Sequence, residues 1–102
     1  MTRYSAKHRK AQIVAATLES ARDLGLYRIT MEDVARRAHC ARSTVGYHFT
    51  SLIRLREEAI RRAADVGDVV LLAEAAARCD PAVKNLPTGI RKRVVRHIEA
   101  AL

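Results

Sequence analysis

Apolar residues recur along this chain at steps of three and four, and in no stretch do they alternate with polar ones for long enough to build a strand. The pattern predicts an all-α chain. Residues 1–6 are expected to fray. A first helix is expected over about residues 6–24, where Ile13, Ala16, Thr17, Ala21 and Leu24 form one largely apolar stripe. Thr17 is its one polar member, and its hydroxyl can bond back to the carbonyl four residues earlier. Gly25 ends the helix, because glycine takes a left-handed closing conformation without strain. Thr30-Met31-Glu32-Asp33 opens a second helix. Thr30 can cap its free N–H groups, and Asp33 brings negative charge to its positive end. Val34, Ala35 and Ala38 face inward. A third helix, over about residues 41–49, buries Val45 and Phe49. A fourth, over about 52–64, aligns Leu55, Ala59 and either Arg62 or Ala63.

Beyond residue 64 the pattern changes. "DVVLLAEAAAR", residues 68–78, is apolar on more than one face and predicts a buried helix. Asp80-Pro81 reads as a cap followed by a first-turn proline, and Pro87-Thr88-Gly89 as a break. A last helix over about 90–102 sets Ile90, Val94, Ile98 and Leu102 on one stripe. Arg91, Lys92, Arg93 and Arg96 lie largely off it, as a solvated face would. The expected division is residues 1–64 and 65–102. At 102 residues, the chain has the size of one small domain with one core.

Charge sharpens that division. Residues 1–62 hold 13 Lys/Arg against 6 Asp/Glu, whereas residues 63–102 hold 6 against 5. The basic field therefore sits in the first part. Such a field attracts polyanions, nucleic acid being the usual one; a merely solubilising basic surface is the alternative. Cys40 and Cys79 stand in no spaced motif, which suits a reducing cytoplasm and gives no disulfide framework. The basic start is followed by no apolar signal core, and no stretch of about 18 apolar residues could span a membrane. His39, Cys40 and His48 have poor spacing for zinc, so no metal or other cofactor is expected. Cys79, near Asp80 and His97, reads as structural. No Ser–His–Asp set or glycine-rich phosphate loop suggests an enzyme.

Several pieces stand in fixed order: Gly25 after an amphipathic helix, "TMEDVARRA" at 30–38, "RSTV" at 42–45 and "YHF" at 47–49, with Leu55 beyond. In order and spacing they resemble the tetracycline-repressor-like (TetR/AcrR) family of bacterial transcription regulators. The resemblance covers about half the chain, from Ile13 to Leu55. Tyr-His-Phe closing the third helix makes it more specific than a generic helix–turn–helix. It implies a three-helix DNA-binding head whose third helix lies in the major groove. Arg42, Ser43 and Thr44 match positions that touch bases or phosphates. Tyr47 and His48 match positions that commonly reach the phosphate backbone, and Thr30 sits where the second helix approaches a phosphate. An arginine at such a place can grip guanine through two bonds. Gly46 would allow a close approach to the groove. Of Arg36 and Arg37, at most one can face the backbone. Lys7, Arg9 and Lys10 read either as a flexible arm touching phosphates or as a solubilising tail.

The sequence also departs from the family pattern. His39 replaces a turn glycine, where a left-handed backbone disfavours a side chain by about 1–2 kcal/mol, although histidine is among the residues enriched there. Cys40 replaces an aliphatic residue and would act as a small buried hydrophobe. Ala41 replaces a serine cap worth about 1 kcal/mol. Gly46 replaces a usual tyrosine and weakens the helix by about 1 kcal/mol relative to alanine. Leu52 replaces a usual phosphate-binding lysine. Yet Val34, Ala35, Ala38, Val45, Phe49 and Leu55 keep the core apolar.

The expectation is therefore a sequence-specific DNA-binding regulator, a homodimeric repressor on a palindromic operator. One short helix reads few base pairs, and each mismatch costs only about 1–3 kcal/mol. Two heads double the readout. Helices 68–78 and 90–102 would build the dimer through Val69, Leu72, Val94 and Ile98, holding the reading helices about 34–36 Å apart or a multiple of it. Close alanine packing would leave no room for a small-molecule effector. A body this short suggests control by the regulator's own concentration, as mobile elements use. The alternatives are a protein-interaction module or antagonist with a weakened head, and a non-specific nucleic-acid binder.

Overall fold

The computed structural model describes residues 5–102, and every regular element among them is helical. The order is α1 (Ala6–Leu24), α2 (Met31–Arg37), α3 (Arg42–His48), α4 (Leu52–Val66), α5 (Val69–Ala77), a 3-10 turn (Pro81–Val83) and α6 (Thr88–Ala100). The chain separates into two compact units, Met1–Ala59 and Ile60–Leu102. The division falls inside α4, a few residues before the expected one, so residues 60–64 group with the second unit. No described helix is long and apolar enough to cross a membrane.

The first unit is built on Ile13, Val14, Ala16, Ile29, Val34, Ala35, Val45, Phe49 and Leu55. Each large aliphatic or aromatic side chain so buried contributes about 1.5–3 kcal/mol. Ser5 starts α1, its hydroxyl oxygen accepting from the His8 N–H at 3.1 Å. Lys7, Arg9 and Lys10 therefore belong to a helix and form no arm. Of the six residues expected to fray, 1–4 lie outside the described residues. Thr17 Oγ1 donates to the Ile13 carbonyl at 2.7 Å, the back-bond its position predicts. The buried face of α1 is wider than one stripe: Val14, Leu18 and Ser20 are also buried, while Leu24 is exposed. Leu24 is the last helical residue, and past Gly25 it is Leu26 that becomes fully buried.

Two short helices come next. Thr30 and Asp33 form a reciprocal capping box at the start of α2, with the Asp33 N–H donating to Thr30 Oγ1 at 3.1 Å and the Thr30 N–H to Asp33 Oδ2 at 2.9 Å. His39, at φ 56°, adopts the left-handed backbone expected of the missing glycine. Its N–H donates to the Arg36 carbonyl and the Cys40 N–H to the Ala35 carbonyl, the paired bonds of a Schellman closure. Cys40 packs half-buried against the core, as a small hydrophobe should. Ala41 gives α3 no side-chain cap.

The second unit shows the same closures. Gly67 (φ 74°) ends α4, with the Asp68 N–H donating to the Ala63 carbonyl at 2.8 Å; a Cβ at Gly67 would stand 3.2 Å from the Arg93 guanidinium. Asp68 in turn accepts from the Leu71 N–H, starting α5. Cys79 (φ 54°) ends α5, with its N–H on Ala76 and that of Asp80 on Ala75. Asp80 caps the 3-10 turn, with Pro81 at its head. The expected break at Pro87-Thr88-Gly89 is narrower than predicted: Pro87 is the boundary, and Thr88 and Gly89 already belong to α6. At the other end α6 stops at Ala100. Leu102 then leaves the stripe and is exposed, because the last N–H groups turn to three-residue bonds on Ile98 and Glu99.

Helices α5 and α6 pack on each other within the chain. Leu72 is 0% exposed and Val94 3%, so these two assigned dimer positions are already covered by their own chain. Val69 and Ile98 are half-buried, and the exposed valines of the same helices are Val70 and Val95. An apolar stripe does not disclose whether its cover is the same chain or a second copy.

Candidate functional site

The seven residues of α3 present two contrasting faces. Val45 points into the first unit's core, and Phe49, just past the helix, joins it. The other side carries Arg42, Ser43, Gly46 and Tyr47, all exposed, with Thr44 and His48 half-buried beside them. The chain thus brings six of the seven sequence-assigned DNA residues onto one short helix.

Tyr47 is 82% exposed, so its ring is not part of the packed core. Its ring meets that of His48 edge-on, with centroids 5.0 Å apart. Edge-to-face is a favoured arrangement of aromatic rings, and here it leaves the tyrosine exposed. Next to it, a Cβ added at Gly46 would meet nothing within 4 Å. The fold therefore does not require glycine there, although glycine costs a helix interior about 1 kcal/mol relative to alanine.

The seventh residue, Thr30, is at the head of α2, with its hydroxyl committed to Asp33. It accepts from the Asp33 N–H and donates to Asp33 Oδ2 at 2.9 Å. The Thr30 backbone N–H, then its hydroxyl, then the Arg36 charge hold the Asp33 carboxyl below its ordinary value of 3.8. A phosphate approaching Thr30 would be repelled by the carboxylate hydrogen-bonded to it.

Acidic partners also hold the arginines of this region. Arg42 Nε lies 2.7 Å from Glu32 Oε1, with the two side chains 64% and 58% exposed. Arg36 lies 3.6 Å from Asp33. Arg37 pairs with Asp23 and, at 3.8 Å, with Glu19, both on α1. Of the two neighbouring arginines, Arg37 thus ties α2 to α1, and Arg36 is the outward one. Sequence reasoning missed Glu32, Asp23 and Glu19. Each lies on a different helix from its partner, so only the packed helices bring them together.

Leu52 packs at the edge of the core. Where the family pattern has a lysine, this chain has a core contact. Among the described residues no three His, Cys, Asp or Glu side chains gather as a metal-holding group. No family model matches the chain, no curated protein matches it, and no solved structure matches it.

Proposed function

We propose that the protein is a TetR-like, sequence-specific DNA-binding regulator that acts as a homodimeric repressor on a palindromic operator, with α3 as its reading helix. The observation that supports this reading best is the outer face of α3. A large aromatic, Tyr47, is left in solvent beside a glycine that the fold does not require. Gly46 leaves room for a groove to approach the backbone, and Tyr47 offers a hydroxyl to a phosphate. Arg42 and Ser43 supply base-edge donors on the same face.

Dimerisation through the second unit is part of the proposal. With Leu72 and Val94 spent inside the chain, its contacts would come from Val70 and Val95, with Val69 and Ile98 contributing their exposed parts. A second reading, a protein-interaction module, draws support from the acidic partners of Arg36, Arg37 and Arg42, which lower the field available to DNA. Selection of bound duplexes from a random pool tests the two. The DNA reader enriches a two-fold-symmetric site, whereas the interaction module enriches nothing.

A further inference from the structure

Of the side chains proposed to meet DNA, Arg42 is held in an ion pair, its Nε lying 2.7 Å from Glu32 Oε1. Glu32 stands in the first turn of α2, and Arg42 is the first residue of α3. The neighbouring Asp33 is committed to Thr30 and Arg36, so Glu32 is the carboxylate paired with Arg42.

We propose that Glu32 is a specificity-determining residue of the reading face, acting with Arg42 to select a G·C base pair and to discourage contact with bare phosphate. This rests on the DNA-reading proposal above. A guanine presents two acceptors to the major groove, O6 and N7, and its cytosine presents an N4 donor beside them. A guanidinium with a carboxylate at its side is the complement: donors next to an acceptor. An adenine offers a donor, N6, where guanine offers O6, and so meets the guanidinium poorly. A phosphate offers only acceptors and negative charge, so Glu32 repels the anion that Arg42 attracts. The pair is exposed on both sides, so water and salt weaken it, and the arginine head can shift to a base without a large loss.

The test is Glu32→Gln, which keeps the side chain's size and removes its charge. Binding to the selected duplex and to random duplex is measured over a salt series, with melting temperature as a folding control. The variant should bind random duplex about three- to tenfold more tightly, with a log–log salt slope steeper by about one, since a released Arg42 neutralises one more phosphate. Its preference for the selected site should fall by about tenfold, with the G·C requirement lost at one position of each half-site. Melting should fall by a few degrees at most, the effect of losing one first-turn charge and one exposed ion pair. If the parent selects a site and the variant selects the same site with the same preference and slope, the role of Glu32 is wrong and the DNA reading stands. If the parent selects no site, both fail.

Discussion

The ends of α2 and α5 are closed by the same two backbone hydrogen bonds, and in both the left-handed residue carries a side chain: His39 at φ 56° and Cys79 at φ 54°. The segments after the two turns differ. After His39, Cys40 packs against the core and the chain enters α3, whose outer face carries the proposed contacts. After Cys79, Asp80 caps a 3-10 turn, and the exposed thiol belongs to no metal-holding group among the described residues. Backbone strain of about 1–2 kcal/mol is thus present at both places, and it does not by itself distinguish them. The distinguishing feature is the helix the turn aims.

The largest effects should come from the cores on either side of this comparison. Leu55→Ala and Leu72→Ala each remove a fully buried side chain and should cost about 2–5 kcal/mol. Hydrogen exchange separates them: Leu55→Ala should speed exchange in α2 and α3 and abolish duplex binding, while Leu72→Ala should speed it in α5 and α6. A Leu72→Ala variant that loosened α3 as much as α5 would break the two-unit account.

The helix caps come next. Thr30→Ala should destabilise the protein by about 0.5–2 kcal/mol, as loss of a capping side chain does. The Asp33 carboxyl is held below 3.8 in the folded chain, so its contribution is complete above that value and is lost as pH falls through the lower folded value. Asp33→Asn should flatten this acid-side loss in a melting series taken from about pH 6 downward. An unchanged acid slope would show that the cap is not what titrates.

The turns themselves should give smaller changes of opposite sign. His39→Gly and Cys79→Gly should each stabilise the chain by about 1 kcal/mol, by relief of left-handed strain. Neither should alter the duplex selected, and a fall in stability for either would reveal a side-chain contact that outweighs the strain. Gly46→Ala should add up to about 1 kcal/mol through helix propensity, since its Cβ meets nothing. The same change should weaken duplex binding, because the methyl group would stand where the groove approaches.

Much of this architecture is legible in the sequence wherever local chemistry decides it. Periodicity and Gly25 indicate α1, Thr30 and Asp33 announce their cap, and the His39 turn can be read because the residues around it resemble a family pattern with glycine at that place. Cys79 escapes notice because cysteine carries no preference for a left-handed backbone. The partner of Arg42 is ten positions away across a turn, and no periodic rule connects them. Leu72 and Val94 show their apolar character plainly, but the identity of what covers them belongs to tertiary packing.

Whether the outer face of α3 reads base sequence can be decided by a competition experiment. The preference for a selected duplex over random duplex is measured in competition at fixed salt for the parent, Arg42→Ala and Tyr47→Phe. Arg42→Ala should lower the preference about 5- to 150-fold, the range of one lost bidentate base contact, while Tyr47→Phe should weaken both duplexes alike and leave the preference intact. An Arg42→Ala protein as selective as the parent would contradict base reading by α3.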